Sequence, residues 1–88
     1  MNFITHTQAR AARAILRWSV VQAAEASGLT GNTVNRYEQG KKARMETPFK
    51  LRAAYEKAGI KFPDECSVIF DPAFNAMPET VSEIDTTE

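Results

Sequence analysis

Apolar residues recur along the first sixty or so positions at spacings of three and four, and residues that cap or stop helices interrupt them. Ala9, Ala12 and Leu16, with Ile15 beside them, predict a first helix over residues 5–17. Its start is either Thr5, which with Gln8 makes a capping box, or Thr7. Ser19 and Gln22 repeat the box, and Gly28 supplies a left-handed residue to end a second helix. Thr30 then caps a third helix, which stops at Gly40. Trp18 lies at the hinge between the first two helices and fills space left by Ala23 and Ala24. Thr47-Pro48 reads as a cap followed by proline at the first position of a fourth helix. Leu51, Ala54, Tyr55 and Ala58 give that helix its apolar stripe, and Gly59 ends it.

From Ile60 the period changes to two. Residues 60–62 and 67–70 read as the strands of a short hairpin around Pro63-Asp64-Glu65. An isolated two-stranded hairpin is marginal, so this one must pack on the helices or pair with a second chain. Residues 71–88 read either as a disordered tail or as a short helix begun at Pro78 that carries Val81 and Ile84. The predicted fold is mainly α: four helices in residues 1–62, then an acidic hairpin and tail in residues 63–88.

The run SVVQAAEASGLTGNTVNRYEQG, Ser19 to Gly40, is two short helices about a tight turn, the helix-turn-helix plan. Its second helix divides cleanly when residues are stepped by about 100° from Asn32 at zero. Arg36 falls at about 40°, Thr33 at about 100° and Asn35 at about 300°, on one broad polar face. Val34 and Tyr37 point the other way, at about 200° and about 140°. Glu38 falls beside that apolar pair at about 240°, where a carboxylate is costly unless paired. Arginine bidentate to guanine and asparagine bidentate to adenine are the favoured chemistries of such an outward face.

Charge sharpens this reading. The 88 residues balance at zero, yet residues 1–62 hold all eleven bases and four acids, a net +7. Residues 63–88 hold seven acids and no base, a net −7. A basic head on an acidic tail is the asymmetry of a nucleic-acid partner. The basic loop KKARME after the third helix suits sequence-blind phosphate contacts through Lys41, Lys42 and Arg44.

Other chemistries find little support. The single histidine, His6, lies near the N-terminus, which removes a Ser–His–Asp set. The single cysteine, Cys66, reads as a small apolar residue at the hairpin. No glycine-rich phosphate loop and no metal-ligand spacing occurs. No apolar stretch is long enough to span a bilayer, and the polar N-terminus does not read as a signal peptide. The expectation is a cytoplasmic protein without enzymatic activity, cofactor, metal or membrane association.

The segment ARAILRWSVVQAAEASGLTGNTVNRYEQGKK, followed by ETPFKLRAAYEKAGIKF, resembles the lambda-repressor/Cro-like, or XRE-type, helix-turn-helix proteins over about residues 8–62. Trp18-Ser19, Ala24, Gly28-Leu29-Thr30, Val34, Glu38 and Gly40 keep that family's spacing. The resemblance implies base reading from the start of the third helix, at Asn32 and Thr33, with Arg36 one turn later and Asn35 on the same face. It implies backbone contacts from Ser19, Gly31, Lys41, Lys42 and Arg44, and a structural ion pair between Arg13 and Glu38. The chain departs from the family at Val20, where a phosphate-holding glutamine is usual, at Ala23 in place of leucine, and at Gly31, which has no side chain for reading. These departures either shift the burden of specificity onto Arg36 or, through Val20 and Val21, mark a surface that no longer grips DNA as the family does.

The function implied is a sequence-specific transcription regulator of bacterial or phage type, mainly a repressor, that occupies a double-stranded DNA operator. A homodimer joined through the C-terminal segment, with Val68, Ile69 and Phe70 at the contact, would present two third helices to it. The competing function is a protein-interaction module, such as an antitoxin or accessory factor, with DNA binding secondary, supported by the acidic tail and the hydrophobic Val68-Ile69-Phe70.

Overall fold

The computed structural model describes residues 3–71, and among these are four helices and one small antiparallel sheet. The helices are α1 (His6–Leu16), α2 (Val20–Ser27), α3 (Gly31–Glu38) and α4 (Glu46–Lys57). The strands are β1 (Ile60–Lys61) and β2 (Ile69–Phe70). The expected helix from Pro78, with Val81 and Ile84, and the tail acids lie outside the described residues.

Local chemistry explains the first three helices. Thr5, not Thr7, caps α1: its hydroxyl accepts the Gln8 N–H at 3.1 Å, and Gln8 Oε1 accepts the Thr5 N–H at 3.0 Å. Ser19 and Gln22 make the same reciprocal box on α2, at 3.1 and 2.7 Å. Gly28 closes α2 at φ 78°, and the Thr30 hydroxyl accepts the Thr33 N–H at 3.1 Å to open α3. Each box satisfies two backbone donors that a helix start otherwise leaves bare. Arg17 ends α1 in the left-handed region at φ 60°, a conformation that usually calls for glycine.

The fourth helix corrects the sequence reading. It starts at Glu46 with Met45 at the cap position, and no side chain caps it. The Thr47 N–H instead donates to the Arg44 carbonyl at 3.0 Å, so the turn before the helix runs into its first residues. Thr47 is drawn wholly into the core, and Pro48 sits third in the helix rather than first. Burial of the threonine methyl wins over capping by its hydroxyl, which is left without a partner among the described residues.

The core gathers Ile4, Ala9, Ala12, Ala23, Val34, Leu51, Tyr55 and Ile60, all essentially removed from water. α4 is its centre, packing on α1, α2, α3 and β1. Alanines on α1 and α2 let each of those helices pack closely on α3 and α4, while Trp18 lies tilted across the Tyr55 ring at 5.7 Å.

The sheet is shorter than the predicted 60–62 and 67–70. Ile60 pairs with Phe70 and Lys61 with Ile69. Ile60 and Phe62 are buried, and Val68 and Phe70 pack half-buried against the helical core. Two of the three apolar residues assigned to a partner chain are thus covered within this one, leaving Ile69 49% exposed. Gln8 fastens the connection between the strands: its Nε2 donates to the carbonyls of Asp64 at 2.7 Å and Ser67 at 3.0 Å. Within that connection the Asp64 carboxylate accepts the Cys66 N–H at 2.8 Å, which holds the acid below its ordinary range.

Candidate nucleic-acid interface

α3 is anchored by one side and open on the other. Val34 is fully buried, and the half-buried Tyr37 donates its hydroxyl to the Ile4 carbonyl. Burial raises the Tyr37 phenol above its ordinary value, so it stays protonated and a donor. Glu38, the sole acid of the helix, is turned inward and 4% exposed. Arg13 grips it with two bonds, Nε to Oε2 at 2.7 Å and an Nη to Oε1 at 2.9 Å. A third Arg13 donor reaches the Trp18 carbonyl at 3.1 Å. The bond to Glu38 raises the Arg13 pKa further. Arg10 donates to the backbone carbonyl of the same Glu38, which puts a second cation at the C-terminal end of the α3 dipole.

The outward side carries the polar residues. Asn32, Thr33, Arg36, Lys42, Ala43 and Arg44 line one open groove of about 430 Å³ between α3 and the loop that follows it. It has no acidic lining, because Glu38 points away. Arg36 spans the groove and donates to the Lys42 carbonyl at 3.4 Å, a long bond that leaves its other donors facing outward. Arg44 is nearly free of the surface and meets Glu46 only at 4.0 Å. Exposed pairs of that length contribute little, so its charge remains available.

Five of the residues singled out from sequence therefore share this groove. The others stand apart from it. Asn35 is exposed on α3 and Lys41 on the following loop. The Ser19 hydroxyl is already engaged in the α2 cap, and Gly31 faces α2, where a Cβ would meet Val20 Cγ1 at 3.7 Å. Sequence reasoning missed Ala43 as a wall of the groove, which has no chemical signal, and Arg10 as a support of α3. The latter was available in principle: Arg10 and Arg13 are three apart and share one face of α1.

Among the described residues no His, Cys, Asp and Glu side chains gather in a metal-binding group, and no helix is long and apolar enough to cross a membrane. No protein-family model matches the chain, and a search of the curated proteins finds no match.

Proposed function

We propose that the chain is a sequence-specific DNA-binding regulator of bacterial or phage type, with a lambda-repressor-like arrangement of α1 to α4. The reading rests on one observation: the α3 groove collects an asparagine, a threonine and three cations while the only acid of that helix is buried and neutralised. α2 and α3, joined through the Gly28 turn, form the helix-turn-helix, and α3 enters the major groove. Asn32, Thr33 and Arg36 meet base edges there, with Asn35 beside them. Lys42 and Arg44, with Lys41, lie along the phosphates and supply the salt-sensitive part of the affinity.

Repression by occupancy follows from this mode of binding, in a cytoplasmic protein that needs no cofactor. The outer edge of β2, unpaired among the described residues and with Ile69 exposed, supports pairing of two copies across a two-fold axis. Two α3 helices would then meet half-sites about 10 bp apart.

Selection from a random duplex pool with the full chain tests the reading. A recovered motif of two inverted half-sites is the expected result. A pool that stays random at low salt, with binding that Arg36→Ala does not alter, overturns it.

A further inference from the structure

Next to the α3 groove lies a second hollow of opposite character, with a volume of about 340 Å³. Phe3, Tyr37, Met45, Pro48 and Phe49 wall it, and the rings of Phe3 and Phe49 meet edge to face at 5.8 Å. Met45 is 82% exposed, and Phe3 and Phe49 are also open to water. Ala43 and Arg44 line both hollows, so the apolar one adjoins the basic one along a common ridge. A methionine and aromatic cluster left wet in so small a domain marks a place where something docks.

We propose that residues 72–88 of this same chain dock there, and that docking brings their acids over the α3 groove in competition with DNA. The competition rests on the DNA-binding reading; the docking itself does not. Three observations point to this occupant.

The first is reach. The Asp71 N–H donates to the Gly59 carbonyl at 2.8 Å, which fixes the start of the segment just past the C-terminal end of α4. Phe49 lies ten residues back along the chain from Gly59, a helical rise of about 15 Å. Seventeen residues follow Asp71, and even at a helical rise they cover about 25 Å.

The second is apolar spacing. Phe74, Met77, Val81 and Ile84 recur at intervals of three and four, so they can present one apolar stripe to the hollow.

The third is charge. Residues 72–88 hold four acids and no base, and Arg44 stands on the rim of the hollow, with Arg36 and Lys42 just beyond. The same feature argues against a second copy at this place. Residues 1–62 carry a net +7, so two such faces repel one another, whereas the tail is their complement. Tethering also gives the segment a high effective concentration at the hollow without any strong contact.

The test uses the full-length chain, with amide signals recorded by NMR and affinity for duplex DNA measured by fluorescence anisotropy. Val81→Ser with Ile84→Ser removes two apolar side chains without changing charge. Met45→Glu attacks the hollow from the other side at a residue already exposed. Docking predicts that the tail variant moves the amide signals of Met45 and Phe49 while those of Ala12 and Ala23 stay in place. Met45→Glu should in turn move signals of residues 74–84. The charge-neutral tail variant should tighten DNA binding about tenfold if the open form is about a tenth of the population.

Unmoved Met45 and Phe49 signals overturn the docking, whatever happens to affinity. Moved signals that revert on dilution, together with a dimer in sedimentation, also overturn it, since the occupant is then a second copy. Moved signals in a chain none of whose variants binds DNA uphold the docking and remove the DNA-binding reading instead.

Discussion

Arg13 on α1 and Glu38 at the end of α3 meet fork to fork, two donors on two carboxylate oxygens, with the acid 4% exposed. The pair does two things at once. It fixes the far end of α3 to α1, and it takes the only negative charge of α3 out of the face that carries Asn32 and Arg36.

Glu38→Gln should therefore destabilise the fold by about 3 kcal/mol, at the low end for stranding a buried charge because Arg13 keeps some contact with water. Urea unfolding should show a lower midpoint at constant slope. Replacing both residues, Arg13→Met with Glu38→Leu, should recover much of the deficit, and a double-mutant cycle reads the coupling.

Arg36→Ala touches nothing in the core, since its bond within the chain is to the exposed Lys42 carbonyl. Stability should stay within about 0.5 kcal/mol, as for surface changes generally. Preference at one or two base positions should flatten by about 1–3 kcal/mol. Binding to a panel of single-base operator variants measures this, and an early-melting mutant with unchanged preference would show Arg36 to be structural.

Lys42→Ala and Arg44→Ala should instead weaken all sequences alike. Removing one cation from the phosphates lowers the slope of log affinity against log salt by about one. A changed base preference with an intact slope would move these residues from the phosphates to the bases.

Gln8→Glu separates the two roles of Gln8. A carboxylate keeps the acceptor for the Thr5 N–H and so retains the α1 cap. It loses the Nε2 donor and turns an oxygen toward the Asp64 and Ser67 carbonyls. The cost should be about 1–3 kcal/mol, that of unpaired buried polar groups. Hydrogen exchange should quicken first at the Asp71 amide, whose bond to Gly59 closes the hairpin, and later in α1.

Tyr55 is fully buried and its hydroxyl has no partner among the described residues. Burial raises its pKa well above the ordinary value, so the phenol is neutral around neutral pH. Tyr55→Phe should be neutral or stabilising by up to about 1 kcal/mol, because removing an unsatisfied polar atom costs no hydrogen bond. Thermal melting checks the sign, and a loss of stability would reveal a bound water on that oxygen.

The caps were legible because they are local. Ser19 with Gln22, Gly28 and Thr30 each act within a few residues of themselves, and sequence spacing alone specifies them, whereas at α1 spacing left Thr5 and Thr7 both open until the structure placed the cap at Thr5. The inward turn of Glu38 was legible too, from the helical angle. Thr47 was misread because its local preference, a cap, lost to a tertiary one, a place in the core. Gln8 bonding Asp64 across 56 positions leaves no trace in spacing, and neither does the choice of Arg17 for a left-handed position. The groove was half legible: its cations and amides were visible as residue types, but the wall at Ala43 and the hollow beyond it exist only once α4 is placed.

The division of α3 into held and unheld residues also bears on how such a chain can change over time. Val34, Tyr37 and Glu38 anchor that helix to the core, while among the described residues no hydrogen bond or ion pair holds the side chains of Asn32 and Asn35, and the Arg36 side chain reaches a loop carbonyl. Rewriting the three unheld positions costs the fold almost nothing. Selection can therefore explore new surfaces there one substitution at a time, without a compensating change elsewhere, and the scaffold remains a constant beneath a variable face.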